Sequence, residues 1–402
     1  MGKADIDTLI EKKVKLHQID QHTASQQEAT ELRRALIERL TGKSLSHLGL
    51  RSFDDDPVVK KNVENLIGAV SIPVGITAPL MMRGQFAQGE FYVPLATTEK
   101  SLVASTSRGC RALTLSGGVK AKVLKDRMTR APLFVVQSLE QAIGVAEWIE
   151  NHHEVLQQKI DECSSHTRLE SARSWIIGLN LFVRFEFSTG DAMGMNMTTK
   201  AADVMGRYLV EQFPGLRFVT VSSNICVDKK PSALNFIEGR GKTVVAECLL
   251  PASIVREVLK TTIEGMAEVN YRKNLIGSAQ AGSYGFNAHF ANLVAATFIA
   301  TGQDPAQVVS GSMGFTLLEK VGDSLHASVT MPSLEVATVG GGTRLPSQQD
   351  ALRLLGVEGA GEPSGSNACK LAEIIAGVVL AGELSLIAAQ VEHSLAKAHS
   401  IT

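Results

Sequence analysis

The hydrophobic and polar positions divide the chain into segments of different character. The N-terminal segment, residues 1–63, is rich in Glu, Lys, Leu and Gln, and Ser25-Gln-Gln-Glu28 has the spacing of a capping box that opens a helix towards Leu40. Near Glu64 the pattern changes to apolar runs punctuated by Gly and Pro, as in ENLIGAVSIPVGITAPL. Such runs are typical of buried strands and turns, so a helical segment precedes sheet-forming sequence.

The middle of the chain, residues 133–220, predicts an alternation of strand, helix, strand, helix and strand. Within it, Leu179–Phe187 alternates apolar side chains with polar ones such as Arg184, the period of two of a half-buried strand. One helix is predicted over Gln141–Lys159 and another after Met197, where apolar residues recur at helical spacing. A small α/β module follows from this pattern.

The last part of the chain predicts helices joined by Gly-rich turns, because Ala, Gly, Val and Leu dominate from Ala252 onward. The most apolar stretch, Leu371–Gln390, is interrupted by Glu373 and Glu383, so we expect a buried helix rather than a membrane span. Together the segments predict an α+β fold. In it, the small module is inserted between two parts of a larger, helix-rich domain.

Composition narrows the class of protein. The 402 residues suffice for two or three domains, and 40 basic against 41 acidic residues give a net charge of −1. A bulk positive field for nucleic acid is therefore excluded. The five cysteines are scattered without a CxxC pair, which favours a reducing compartment. MGKADIDTLIEKK lacks the apolar core of a signal peptide, so we expect a cytoplasmic protein without a membrane partner.

The Gly- and Met-rich string DAMGMNM, Asp191–Met197, lies at a predicted strand-to-helix junction. A helix N-terminus offers free backbone N–H groups and a partial positive charge, which suit a pyrophosphate. Gly190 and Gly194 would let a ligand approach the backbone closely. On these residues alone, a capped core helix with methionines as packing filler is an equally good interpretation.

Two other Gly-rich strings fail as nucleotide motifs. GRGKT at Gly239–Thr243 resembles the end of a Walker A loop, but Phe236 stands where that loop needs its first glycine. The run Gly340–Gly342 is not followed by the spacing of a Rossmann fingerprint. Any dinucleotide site must therefore be of another, non-Rossmann kind.

Two short segments carry candidate catalytic groups. Lysines beside a carboxylate, as in Asp228-Lys229-Lys230, can stabilise an oxyanion or bind an acidic substrate, although a solvated turn is the commoner structure for such a triplet. Glu99 is flanked by apolar and small residues; if it is buried, its pKa is raised and it can donate protons near neutrality. The alternative for Glu99 is an exposed position at the start of a helix.

The remaining candidates have structural alternatives too. Asp304 precedes a proline and has the position of a helix cap. His399, three residues from the end of the chain, would ordinarily be a surface residue without a role. His152, His153 and His289 lack the spacing of metal ligands, so we predict no metal site.

Long strings of the chain, in their order, resemble 3-hydroxy-3-methylglutaryl-coenzyme A (HMG-CoA) reductases. The strings are ENLIG with PVGITAPL, ATTEKSLVASTSRGCRAL, MTRAP, GDAMGMNM, VDKKPSALNFIEGRGK, NAHFANLVAATFIATGQD, TVGGGT and AGELSLIAAQ with LAKAH. The resemblance runs from about Glu64 to His399, and the DKKP block is similar to the class I branch. Ala78, Ser107 and Lys100 depart from residues common in the family.

The resemblance implies a reaction and roles for four residues. The family reduces a thioester to a primary alcohol, mevalonate, by two hydride transfers from a nicotinamide cofactor, and releases coenzyme A. Lys229 matches the catalytic lysine that stabilises the oxyanion, and Glu99 matches the glutamate that delivers protons. Asp304 matches the aspartate that bonds to both, and His399 the histidine that protonates the departing thiolate.

Further positions match binding residues of the family. Those that resemble contacts to HMG-CoA are Ser105, Arg108, Ser222, Asp228, Lys230, Lys273, His289, Asn292 and Leu386. Those that resemble contacts to the nicotinamide cofactor are Arg130, Asp191, Met193, Gly194, Met195, Asn196, Val339 and Gly340. Ser164, with Ser165, His166 and Arg168, occupies the region expected to hold the 2′-phosphate of NADPH, which we favour over NADH.

The resemblance also implies an architecture. A helical N-terminal segment, residues 1–63, precedes a large HMG-CoA-binding domain formed by residues 64–132 and 221–402. A small inserted domain, residues 133–220, is ferredoxin-like and binds the cofactor in a non-Rossmann manner. The active site is expected between two subunits of a homodimer or a higher homo-oligomer.

Two other functions are alternatives to biosynthetic reduction. One is the reverse, oxidative reaction with NAD. In the family this reaction is associated with class II, and the class I-like DKKP block argues against it. The other is a non-enzymatic chain kept for CoA binding or scaffolding. The presence of Glu99, Lys229, Asp304 and His399 argues against that alternative.

Overall fold

A computed structural model describes residues 62–392 and 23–41, together with residues 6, 18, 19 and 21. His399 lies outside the described residues. The helices are α1 Gln26–Thr41, α2 Leu102–Leu115, α3 Leu139–Asn151, α4 His153–Asp161, α5 Met195–Gln212, α6 Ala233–Glu238, α7 Ala252–Ile254, α8 Ile263–Val269, α9 Ser278–Gln280, α10 Phe290–Thr301, α11 Val308–Gly311, α12 Pro346–Leu354 and α13 Ser366–Val391. Val255–Leu259 and Asn270–Gly277 are π-helical, and Pro305–Gln307 and Gly341–Arg344 are 3-10 turns.

The strands form one large sheet and two small ones. They are β1 Val74–Ile76, β2 Leu80–Arg83, β3 Gln88–Phe91, β4 Pro94–Ala96, β5 Lys120–Arg130, β6 Leu133–Val135, β7 Arg168–Ile177, β8 Asn180–Ser188, β9 Arg217–Thr220, β10 Gly241–Pro251, β11 Gly285–Phe286, β12 Gly314–Val321 and β13 Ser324–Leu334. The large, nine-stranded sheet has the order β11-β12-β13-β10-β5-β8-β6-β9, with β7 on the free side of β8. Strands β1 and β4 form one small sheet, and β2 and β3 the other.

Strand β5 connects the two halves of the large sheet. Its first part, Lys120–Arg127, pairs with β10, and its last three residues pair with β8. Each half has its own hydrophobic core. The smaller core draws its buried residues from Phe134 to Leu216, and the larger one from segments before and after that range. Residues 62–392 therefore form a mixed α and β fold in which one large sheet runs through both of these cores.

The smaller half contains β6, α3, α4, β7, β8, α5 and β9, which corrects the predicted alternation in two places. The helix predicted over Gln141–Lys159 is broken at His152, whose ring stacks on Trp148 with centroids 4.3 Å apart. Strand β7 was not predicted. It pairs with only one neighbour, so most of its side chains are exposed or half-buried and their pattern carries little signal.

The predicted strand over Leu179–Phe187 is confirmed with small corrections. Strand β8 runs from Asn180 to Ser188, and its apolar side chains at alternate positions are fully buried. Leu179 lies in the preceding turn and is exposed. Arg184, predicted on the polar face, is buried as well, because its guanidinium donates to the carboxylate of Glu186 and to the carbonyl of Gly239.

The predicted cap at Ser25 is confirmed, but Glu28 bonds to the residue before the N-cap and not to the N-cap N–H of a complete capping box. Helix α1 begins at Gln26, and the hydroxyl of Ser25 accepts a hydrogen bond from the backbone N–H of Glu28 at 3.1 Å. The Glu28 carboxylate accepts from the N–H of Ala24 at 2.9 Å. The two bonds satisfy backbone donors that a helix start otherwise leaves unpaired.

The C-terminal half also differs from the prediction of helices alone. Strands β12 and β13 form an antiparallel hairpin, and β13 pairs with β10 along nearly its whole length. Helix α13 was predicted as a buried helix, and it is one. By length and composition it would span a membrane, but most of it is buried inside the described part of the protein.

The two glutamates of α13 explain how a helix in the core tolerates charge. The carboxylate of Glu373 accepts backbone N–H bonds from Gln85, Phe86 and Ala87. The carboxylate of Glu383 accepts from Ala288, His289 and the hydroxyl of Thr316. Each acid thus anchors a loop to the core, since a buried carboxylate is stable only when donors surround it.

Candidate active site

The string DAMGMNM connects β8 to α5, as predicted. Helix α5 begins at Met195, and its N-cap residue Gly194 has φ +88°, without a side-chain cap. A side chain at Gly194 would collide with Thr189. The first turn of an 18-residue helix therefore presents backbone N–H groups without a capping side chain, which suits an anionic ligand.

Asp191 has a structural role in this junction. Its buried carboxylate accepts backbone N–H bonds of 2.8–2.9 Å from Gly361, Gly365 and Ala368, so it ties the string to the start of α13. Its carbonyl accepts from the N–H of Thr338 at 2.9 Å, and this bond places Val339 and Gly340 next to the string. The predicted cofactor positions of the two segments are thus neighbours. Met193 and Met195 are half-buried and Asn196 is exposed.

A cavity of about 440 Å³ adjoins the junction at Gly190. Its lining includes three of the four residues predicted to hold a 2′-phosphate, namely Ser165, His166 and Arg168. Arg168 pairs with Asp161 at 2.8 Å, and both side chains are largely exposed. The Ser164 hydroxyl turns instead to that of Thr167, 2.8 Å away.

The segment that carries Asp228, Lys229 and Lys230 has a strained backbone. Val227 and Lys229 have φ values of +49° and +56°, a backbone region that residues other than glycine rarely adopt. The side-chain amide of Asn235 donates to the carbonyl of Val227 at 2.8 Å, and the Thr129 hydroxyl to the carbonyl of Cys226 at 2.9 Å. These buried bonds hold the loop in the conformation that presents Lys229.

Lys229 and Asp304 form an ion pair, with Nζ and Oδ2 2.7 Å apart. Both side chains keep partial access to solvent, which a reacting pair requires. Asp304 also caps the 3-10 turn Pro305–Gln307 through a 3.1 Å bond from the N–H of Ala306. The helix-cap interpretation and the expected contact with Lys229 are therefore both correct.

Behind this pair lies a buried cluster that the sequence did not single out. The guanidinium of Arg240, fully buried, contacts the carboxylates of Asp228 at 3.1 Å and Glu335 at 2.7 Å. It also donates to Thr129 and to the sulfur of Met195 at 2.7 Å. We call these residues, with Gln307, Lys229 and Asp304, the lysine cluster. The one signal in the sequence was a charged residue between two glycines of GRGKT.

Glu99 is exposed, not buried as its apolar neighbours suggested. It lies between β4 and α2, so the alternative interpretation, an exposed position before a helix, is correct for the single chain. Its carboxylate accepts from the side-chain amide of Asn292 at 3.2 Å. Within the part of the chain that the structure describes, no hydrogen bond links Glu99 to Lys229 or Asp304.

His289 lies next to Asn292 and is anchored from the core. Glu383 binds its backbone N–H at 2.7 Å. Its Nδ1 is 3.5 Å from the Asn292 amide, and its buried Nε2 has no hydrogen-bond partner among the described residues. We call Glu99, His289, Asn292 and Glu383 the glutamate cluster.

Two other predicted substrate residues, Ser105 and Arg108, contact Ser385 of α13, the residue before Leu386. The hydroxyl of Ser105 is 2.9 Å from that of Ser385, and Arg108 donates to both the hydroxyl and the carbonyl of Ser385. Partial burial lowers the pKa of Arg108 from its ordinary value. Leu386 itself is half-buried.

The other predicted binding residues are dispersed around the two clusters. Lys273 lies in the π-helical segment and donates to Asn274; desolvation lowers the pKa of its amine, while Glu383 acts in the opposite direction. Ser222 lies 3.2 Å from the sulfur of Cys226, and the amine of Lys230 donates to the Asp228 carbonyl. Arg130 ends β5, and its buried Nε has no hydrogen-bond partner among the described residues.

Helix α10 separates the two clusters within one chain. Asn292 lies in its first turn, whereas Asp304 follows its last residue, Thr301. Its 12 residues span about 18 Å at the rise of an α-helix. The chain therefore brings each group of predicted residues together but keeps Glu99 away from Lys229 and Asp304. In the described ranges, no group of three His, Cys, Asp or Glu side chains is arranged to hold a metal.

The architecture matches a known enzyme fold. A class II HMG-CoA reductase of Streptococcus pneumoniae, whose structure was determined with NADPH in open conformations, superposes with a TM-score of 0.67 over 94% of this chain and 100% of that one. The two sequences are 20% identical, so this likeness establishes the fold alone.

Sequence similarity establishes the family. The model of the hydroxymethylglutaryl-coenzyme A reductase family matches residues 29–402. The chain is 52% identical over 404 residues to the 3-hydroxy-3-methylglutaryl-coenzyme A reductase of Pyrococcus abyssi, covering 99% of both. It is 46% identical over 387 residues to that of Halobacterium salinarum, covering 96% of this chain and 95% of the relative. The chain belongs to the HMG-CoA reductase family.

Proposed function

We propose that the protein reduces the thioester of HMG-CoA to mevalonate and free CoA by two hydride transfers from NADPH, in isoprenoid biosynthesis. The observation that carries this proposal is the Lys229–Asp304 pair, at positions matching the catalytic residues of the family to which the chain belongs. Lys229 lies in an exposed turn whose strained backbone is held by a buried hydrogen bond from Asn235.

The chemistry follows from the charges on these side chains. The Lys229 ammonium lies where it can stabilise the oxyanion that forms at the thioester carbonyl, and Asp304 holds it there. Glu99 supplies the proton to that oxygen, and His399 protonates the departing CoA thiolate. NADPH, when bound, supplies the hydrides.

The cofactor would bind at the start of α5. The helix N-terminus without a capping side chain fits a pyrophosphate, and the adjoining cavity offers room for a further part of a dinucleotide. Ser165, His166 and Arg168 supply hydroxyl and cationic groups for a 2′-phosphate, in agreement with NADPH. Met193, Met195, Asn196, Val339 and Gly340 border the same site.

The domain assignment supports this picture. The strands of residues 133–220 lie in the order β9-β6-β8-β7 and are all antiparallel. This order and the β-α-β-β-α-β succession are those of a ferredoxin-like fold, whereas a Rossmann domain requires a parallel sheet. We assign residues 133–220 to the cofactor and 64–132 with 221–402 to HMG-CoA.

The separation of the two clusters supports an active site between subunits. We propose that the lysine cluster of one chain faces the glutamate cluster of its neighbour, so that Glu99 reaches Asp304 and Lys229 across the interface.

Steady-state kinetics on the purified protein test the function. We expect NADPH oxidation that depends on HMG-CoA, with a higher kcat/KM for NADPH than for NADH. Lys229→Ala should lower kcat by at least roughly 10²-fold, because the oxyanion loses its fixed cation. The exposed Lys230→Ala is the matched control for folding of the loop, and its main effect should fall on the KM for HMG-CoA.

Three results would contradict the proposed function or its cofactor. Unchanged activity in Lys229→Ala would remove the chemistry from this site. A clear preference for NADH would contradict the proposed cofactor and favour the oxidative reaction. A wild-type protein that binds HMG-CoA but oxidises neither cofactor would point to a non-enzymatic role.

A further inference from the structure

Arg240 lies at the junction of the segments that carry the proposed reacting groups. It stands between Gly239 and Gly241, whose φ values of +78° and +69° let the chain turn sharply from α6 into β10. The turn points a fully buried guanidinium inward. A buried cation is unstable unless hydrogen bonds and opposite charges surround it, so each contact made there is informative.

The guanidinium contacts three segments that are far apart in the sequence. Asp228, at 3.1 Å, is the neighbour of Lys229 in the strained loop. Gln307, at 3.5 Å, belongs to the 3-10 turn that Asp304 caps, and its amide donates to Asp228 at 3.1 Å. The sulfur of Met195 lies 2.7 Å from the guanidinium, and Met195 is the first residue of α5. One rigid, planar group therefore joins the loop of Lys229, the turn that Asp304 caps and the proposed cofactor helix.

Glu335 also holds the guanidinium, through Nη1, the nitrogen that donates to Gln307. It follows β13, is buried, and accepts from Nη1 at 2.7 Å, while its second oxygen has no hydrogen-bond partner among the described residues. Burial raises the pKa of this carboxyl to about 7, against the opposing effect of Arg240. With Asp228, two carboxylates share one guanidinium, so the position of Arg240 depends on the balance between them.

We propose that Arg240, held by Glu335, is a positioning residue that keeps the Lys229–Asp304 pair in register with the cofactor helix. The inference rests on the proposed function and assigns Arg240 no contact with substrate. A purely structural ion pair would contribute to stability only, whereas a positioning residue also governs the rate of the chemical step.

The variant Arg240→Lys tests this, because lysine keeps the charge but loses the planar fork that reaches several acceptors. We expect kcat to fall by about 10- to 100-fold, the effect of a small misplacement of reacting groups, with a smaller change in either KM. Hydrogen exchange in residues 222–230 and 193–199 should become faster together, while α13 stays protected.

Arg184→Lys is the matched control. Arg184 is also a buried arginine, held by Glu186 and the Gly239 carbonyl, and it contacts none of the predicted site residues among those described. We expect a comparable loss of thermal stability with kcat close to wild type. If Arg240→Lys does not fold, Glu335→Gln replaces it, with a smaller fall in kcat in the same direction.

Three results would overturn the inference. They are a wild-type kcat in Arg240→Lys, equal losses of kcat in Arg240→Lys and Arg184→Lys that follow stability, and unchanged exchange in both named segments. A wild-type protein without reductase activity would instead defeat the proposed function. In that case the exchange measurement still decides whether Arg240 joins the two segments.

Discussion

At the residue scale, Lys229 illustrates how the fold stores strain where it presents a charge. A left-handed backbone costs on the order of 1–3 kcal/mol at a residue other than glycine. The loop contains this conformation at Val227 as well, where a β-branched side chain makes it still less favourable. Hydrogen bonds from Asn235 and Thr129 to the loop backbone hold Val227 and Lys229 in this conformation.

Glu335 predicts a pH dependence of stability. Burial raises the pKa of its carboxyl from an ordinary 4.5 to about 7, so between these values the folded protein binds more protons than the unfolded chain. The contribution of Glu335 to the free energy of unfolding is therefore largest below pH 4.5 and declines as the pH rises through 7. Urea denaturation from pH 5 to pH 8 should show this decline in the wild type.

The variant Glu335→Gln provides the comparison. It should show a flatter dependence over the same pH range, because the amide does not titrate. Parallel curves for the two proteins would mean that Glu335 keeps an ordinary pKa.

At the scale of single residues, the sequence predicted one contact of the candidate site and missed another. The contact between Lys229 and Asp304 was expected from the resemblance and is present. Arg240 was passed over, because its partners Asp228, Gln307 and Glu335 are brought together only by the folded chain. For Glu99 the sequence left a buried and an exposed position open, since apolar neighbours along a sequence do not determine which side of a turn faces solvent.

At the element scale, the proposed binding of the cofactor depends on the start of α5. Gly194→Ala introduces a side chain where φ is +88° and where it would collide with Thr189. We expect a loss of stability of about 1–2 kcal/mol and a rise of roughly 10-fold or more in the Kd for NADPH, because the first turn must shift. Thermal unfolding and equilibrium binding measure the two effects.

Gly178→Ala is the matched control for this variant. Gly178 also has a positive φ, +58°, in the turn between β7 and β8, but an added side chain there meets open space. A modest loss of stability without a change in NADPH affinity is expected. If both variants weakened NADPH binding equally, the effect would come from general destabilisation and not from the helix start.

Elements with strong local signals could be predicted, and those that depend on partners could not. The Ser25 cap of α1 and the apolar run of α13 could both be recognised from the sequence. The break at His152 and the edge strand β7 depend on stacking and pairing partners elsewhere. The departures at Ala78 and Ser107 turned out to be linked, since the Ser107 hydroxyl accepts from the N–H of Ala78 at 3.0 Å.

At the scale of the whole molecule, α10 holds the two groups of candidate residues apart. The lysine cluster lies beyond its C-terminal end, and the glutamate cluster lies at its N-terminal end. Under the proposed function, a complete set of reacting groups therefore requires two chains. Strand β5 belongs to both halves of the large sheet. We therefore expect the cofactor-binding half of each chain to lie next to the lysine cluster of the same chain.

The most direct test of this account is activity in mixed oligomers of two inactive variants, Glu99→Gln and Lys229→Ala, co-expressed in equal amounts. If the site combines the two clusters from different chains, a mixed dimer has one intact site. About a quarter of the wild-type activity should then return for random pairing in a two-fold symmetric dimer. A mixture of Lys229→Ala with Asp304→Asn, both in the lysine cluster, should stay inactive. Failure of the first mixture to recover activity, with mixed dimers present, would contradict a site shared between subunits.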